Sequence, residues 1–169
     1  MLEASRIGGS TEIEDFRLRG LYEYWNAKRA GRRAPARADI NPTDIPDLLG
    51  YLNLFEVRED PRDFKVRLNG SAVADMLGQD VTGRWCSDVI SGEDALRCKR
   101  AFDICVDQWA PVLVQTSLAF CGKPHAGQTI VALPLSSDGH RVGMVITAHS
   151  YHMLGIPMGI LEFNQAQRR

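Results

Sequence analysis

The chain reads as an α+β domain: a five-stranded antiparallel sheet with helices on one face and an added N-terminal helix. Three observations predict this. Two long segments carry apolar residues at helical spacing, and five shorter ones have strand character. Turn signals at Asp60-Pro61 and Asp138-Gly139 join neighbouring strands into hairpins. The elements then run helix, strand, strand, helices, strand, strand, strand, an order that segregates helices from sheet.

Residues 1–11, with Gly8-Gly9-Ser10, form a flexible lead-in. Residues 12–50 hold the first helix and a connector. Ser10 or Thr11 can cap the helix ahead of Glu12, Glu14 and Asp15. Leu18, Leu21 and Trp25 then make its apolar stripe, flanked by Tyr22 and Tyr24, and Gly31 is its stop. The connector "RRAPARADINPTDIP" looks basic, yet residues 1–50 carry eight basic and eight acidic side chains. Its prolines direct the path, Asn41 caps a new turn with Pro42 next to it, and Ile45, Leu48 and Leu49 supply that turn's buried side before Gly50.

Residues 51–150 make the core. "YLNLFEV" and "FKVRLNG" form the first hairpin, the second with Phe64, Val66 and Leu68 on one face. A short helix ends at Gly78. In the helix Glu93–Trp109, Cys98, Phe102, Cys105 and Trp109 share a face, with Ser91 as cap and Asp94 reaching back to it. Strands Val112–Phe120, Gln128–Leu135 and Val142–Ser150 follow. Residues 151–169 are a tail, polar at its end.

Composition limits the function. With 169 residues, 44% hydrophobic and 24% charged, the sequence suits one globular domain. A formal net charge of -1 gives no long-range field for nucleic acid or an acidic membrane. "MLEASRIGGSTEIED" has no signal-peptide core, and no apolar run approaches the ~20 residues that span a bilayer. A cytoplasmic protein with reduced thiols is expected, since Cys86, Cys98, Cys105 and Cys121 form no CxxC pair. The sequence has no GxSxG, no HExxH and no Gly-rich phosphate loop between strand and helix, so no enzyme is indicated.

The phrases "LYEYW", "GRRAPARADINPTDIPDLLGYLNLFEV", "FKVRLNGSAVADMLGQDVTGR" and "LPLSSDG", in this order, resemble the PAS-like family common in alphaproteobacteria and formerly catalogued as a domain of unknown function. The resemblance spans Leu21 to His149. It implies a bacterial sensory or scaffolding module whose helices and concave sheet face enclose a ligand cavity. Strand alternation and the family layout place Phe55, Leu68, Met76, Trp85, Phe102, Thr116, Met144 and Ile146 around that cavity. A packed core would use the same apolar residues. Thr116 stands apart as a hydroxyl on an apolar face, where a ligand or a backbone carbonyl could satisfy it.

The cofactor is unknown. "TGRWCSDV" lacks the asparagine and the following Arg-Phe-Leu-Gln of a flavin-adduct cysteine motif, which disfavours Cys86 in that role. Haem is disfavoured because Glu93–Trp109 contains no histidine; His149-x-x-His152 straddles a strand end, where two imidazoles rarely meet one metal. The expected function is a non-enzymatic signalling module binding a small apolar or amphipathic ligand and acting through protein contacts, as a homodimer or with a signalling partner. Leu21, Tyr22 and Trp25 are its candidate interface. A ligand-free dimerising adaptor is the alternative, followed by a nucleic-acid-associated regulator using Lys28–Arg37.

Overall fold

The computed structural model describes residues 4–155. Ten elements carry the fold: β1 (Ala4–Arg6), α1 (Phe16–Arg29), β2 (Leu52–Glu59), β3 (Arg62–Asn69), α2 (Ser71–Leu77), α3 (Cys86–Val89), α4 (Gly92–Gln108), β4 (Val112–Leu118), β5 (Lys123–Leu135) and β6 (Met144–Met153). The strands make one antiparallel sheet in the order β1-β4-β5-β6-β2-β3. The α+β class stands, but the sheet has six strands where five were expected. The sixth comes from the expected lead-in: Ala4–Arg6 pairs with Val112–Val114 and covers the free edge of β4. At the other end of the chain, Tyr151–Met153 continue β6 rather than beginning a tail. The expected "MGILEFNQAQRR" tail lies outside the described residues.

The helices α2, α3 and α4 pack on one face of the sheet, and the added N-terminal helix α1 covers the other. Strand alternation divides the central strands accordingly. In β5, Val131, Leu133 and Leu135 join Leu18, Leu21 and Trp25 of α1, while Ile130 and Ala132 join Phe102 and Cys105 of α4. A run such as "TIVALPL" is apolar throughout because its strand is buried on both sides.

α1 starts later than its acidic run suggests. Ser10–Glu12 make a separate 3-10 turn, and Asp15 is the cap, its Oδ1 accepting from the amides of Arg17 (2.8 Å) and Leu18 (3.2 Å). Its second oxygen accepts from the Ser150 hydroxyl at 2.6 Å, tying the helix start to β6. Trp25 Nε1 donates to the Pro134 carbonyl at 2.8 Å and fixes the helix over β5. Leu21, Tyr22 and Trp25 are therefore 0%, 7% and 2% exposed. The proposed interface residues are core, because the sheet's second face needs a cover and α1 provides it.

The connector forms three 3-10 turns whose charges are engaged within the chain. Arg32 donates to Asp39 at 2.8 Å and to the Lys28 carbonyl at 2.9 Å; Lys28 lies 3.0 Å from Asp44. Arg37 donates to the Ile40 carbonyl, and Arg33 lies 4.1 Å from the Trp109 ring centre. The Ala36 amide, then Arg32, hold the Asp39 carboxyl below the ordinary range. Asn41 caps its turn as expected, accepting from the Thr43 amide at 3.1 Å. Leu49 is exposed rather than buried: the turn is a 3-10 helix, which presents a narrower face than an α-helical turn.

Candidate functional site

Between the sheet and α2, α3 and α4 lies a cavity of about 510 Å³. That size lies within the range of small-molecule pockets. Phe55, Phe64 and Val66 of the first hairpin form one wall, and Phe64 and Phe55 meet Phe102 of α4 edge-on, with centroids 5.1 and 5.0 Å apart. Val73 and Leu77 of α2 with Val89 of α3 form another wall. Gly70 sets the entry into α2, since a Cβ there would lie 2.4 Å from the Gly50 carbonyl oxygen. The backbones pass too closely for any other residue.

The cavity floor is not uniformly apolar. Asn53, Gln128 and His149 line it, and with Thr116 and Thr147 behind them they form a polar row across β4, β5, β6 and β2, each at most 5% exposed. Gln128 Nε2 donates to Thr116 Oγ1 at 3.0 Å, which leaves the Gln128 carbonyl facing His149 Nδ1 at 3.1 Å. That pairing assigns the imidazole proton to Nδ1, so Nε2 accepts from the Thr147 hydroxyl at 3.0 Å. Burial lowers the His149 pKa to about 3, and the ring is neutral at ordinary pH. Asn53 uses its carbonyl oxygen for the Gly70 amide at 3.1 Å. Its Nδ2 donates to no partner among the described residues, and the side chain lines the cavity.

The mouth is charged and its ion pairs lie within it, while Arg62 Nε is buried without an acceptor among the described residues. Arg58 donates to Asp63 at 3.4 Å, and Asp63 also accepts from Ser87 at 2.6 Å. Arg62 reaches from the hairpin to Asp107 of α4 at 3.1 Å and to Glu59 at 2.8 Å. Lys99 pairs with Asp103 at 2.6 Å, and Leu96 stands 67% exposed beside it. Cys86 and Cys98 also line the cavity, and burial pushes the Cys98 thiol up to about 12. The Cys86 thiol is raised by the same cause, so burial disfavours the thiolate at both.

Of the eight expected lining residues, Phe55 and Phe102 line the cavity. Thr116 sits one hydrogen bond behind it, its hydroxyl oxygen accepting from the Gln128 side chain. Leu68, Met144 and Ile146 do not line it. Opposite β2, Leu54 pairs with Leu68 but Phe55 pairs with Val66, so Arg67 is an extra residue that flips Leu68 to the other face. Met144 and Ile146 pack with the α1 core, a one-residue error in phase along β6. Met76 turns its carbonyl toward Cys121 and Lys123 at the end of α2. Trp85 lies outside the cavity lining, under Arg58 at 4.1 Å and Lys65 at 5.6 Å.

At α4, Ser91 makes no side-chain cap bond. Asp94 instead accepts from the Ser117 amide and hydroxyl at 3.1 and 2.6 Å, anchoring the helix to β4. Sequence reasoning missed Asn53 and Gln128, and weighed His149 only as a metal ligand. The signal was available: each is polar within an otherwise strand-like apolar run, the feature that singled out Thr116.

A family model described as a PAS domain matches residues 14–148. No curated protein and no solved structure gives a significant match.

Proposed function

This chain belongs to the PAS domain family, and from that premise we propose that it is a sensory module taking up a small, mostly apolar molecule between its sheet and α2–α4. The observation that carries the reading is the cavity of about 510 Å³ on one side of a sheet whose other side buries an apolar cluster under α1. A packed interior leaves few voids larger than a water molecule, so a space of this size is a departure from ordinary core construction. A ligand there would touch the β2–β3 hairpin and α4 together, which Arg62 already links through Asp107. Occupancy would bias the position of α4 against the hairpin, and a partner protein sensitive to that position would read the signal.

Native mass spectrometry of the purified protein, beside its denatured mass, tests the reading. A reproducible non-covalent mass is expected, lost in Ala95→Trp, where an indole on the cavity wall of α4 fills the space. A bare chain that also fails to take up added butylbenzene would overturn it and leave the ligand-free adaptor. No helix among the described residues is long and apolar enough to cross a membrane.

A further inference from the structure

We infer that the cavity selects an uncharged ligand carrying a hydrogen-bond acceptor oxygen, a ketone, ester or amide on an apolar body, whose oxygen sits against Asn53 Nδ2. The inference rests on the cavity being a ligand site and adds which chemistry it accepts.

Two observations carry it. Asn53 is 4% exposed, lines the cavity, and spends its carbonyl on the Gly70 amide while its NH₂ group has no partner among the described residues. The NH₂ group is open to the cavity, so water or a ligand oxygen can accept from it there, and an apolar ligand that displaced that water would leave it unpaired. Asn53 Oδ1 shares the Gly70 amide with the Leu52 carbonyl, at 3.1 and 2.8 Å, and with its oxygen there the NH₂ group is the end left for the cavity. The second observation concerns charge. Every other polar group of the floor is a neutral amide, hydroxyl or imidazole already bonded to its neighbour. The cations lie only at the mouth, where Arg58, Arg62 and Lys99 pair with Asp63, Asp107 and Asp103. A carboxylate or ammonium drawn into the cavity would lose its hydration without gaining a counter-charge.

Three probes of one skeleton test this: 4-phenyl-2-butanone, butylbenzene and 4-phenylbutanoate, titrated by calorimetry or ligand-observed NMR at neutral pH. The expected order is ketone first, butylbenzene about five- to tenfold weaker for want of one hydrogen bond, and the carboxylate weakest. In Asn53→Leu the ketone should lose that advantage while butylbenzene still binds, which also reports that the cavity is intact. A carboxylate that binds as well as the ketone, or a ketone preference that survives in Asn53→Leu, would overturn the inference while leaving the ligand site standing. No saturable binding of any probe to the unmodified protein would remove the ligand reading and this inference together.

Discussion

The two faces of the sheet are built from the same strands, but they are built differently. Toward α1, β2, β5 and β6 present Leu52, Leu54, Val131, Leu133, Ile146 and Ala148, all buried against Leu18, Leu21 and Trp25. Toward α4, the alternate residues include Asn53, Gln128, Thr147 and His149, and a cavity stands above them. A side chain moved by one position along β6 passes from an apolar jigsaw to a hydrogen-bonded row. Both faces bury apolar clusters, but the second also carries the polar row and leaves a space of about 510 Å³ beneath α2–α4. On the proposed reading, packing against α1 and ligand contact fall on alternate residues of the same strands.

Substitutions on the α1 side should have the largest effect on stability and leave cavity binding alone. Trp25→Ala removes a side chain only 2% exposed and orphans the Pro134 carbonyl. It should cost about 3–5 kcal/mol, seen as a fall in melting temperature of roughly 6–20 °C. Butylbenzene affinity of the folded protein should be unchanged. Lost binding at a temperature where the variant is still folded would mean that the faces are coupled, not separate.

On the cavity side, the largest measurable term is a pH dependence. His149 bonds Gln128 and Thr147, with the Tyr151 ring 6.3 Å away, and burial lowers its pKa to about 3 from the ordinary 6.5. The unfolded chain therefore binds more protons than the folded one between these values. The stability this neutral ring confers is complete above about pH 6.5 and is lost as pH falls toward 3. Between pH 7 and 5 the protein should lose about 2 kcal/mol through this group. His149→Gln should remove that part of the slope in urea unfolding curves, and an unchanged slope would assign it to other groups.

The smallest effect belongs to the connector. Arg33→Ala should cost about 0.5–1 kcal/mol through its contact with Trp109, with no change in binding of any cavity probe. A larger effect on binding than on stability would give that arginine a role beyond holding the connector to α4's end.

Much of this was legible in the sequence, and the failures share a cause. The hairpin at Asp60-Pro61, the cap at Asn41, the helix stop at Gly78 and the apolar face of α4 depend on neighbours in the chain, and each is found where it was expected. Leu68 was misplaced because a bulge at Arg67 resets the strand's phase without leaving a local mark. Met144 and Ile146 were misplaced because β6 is buried on both faces, so its pattern does not say which face is which. Leu21, Tyr22 and Trp25 were taken for a partner surface because a helix stripe does not reveal whether its cover belongs to the same chain. The edge strand Ala4–Arg6 escaped for a similar reason: its pairing with β4 is set more than a hundred residues away.

The central claim, that one face is packed and the other holds a ligand, is tested most directly along β5. Methyl-labelled protein titrated with 4-phenyl-2-butanone and followed by NMR reports on adjacent residues that point in opposite directions. Ile130 on the cavity side should shift saturably, while Val131 and Leu133 on the α1 side should move far less. Equal shifts on both sides, or no saturable shift at Ile130, would contradict the account.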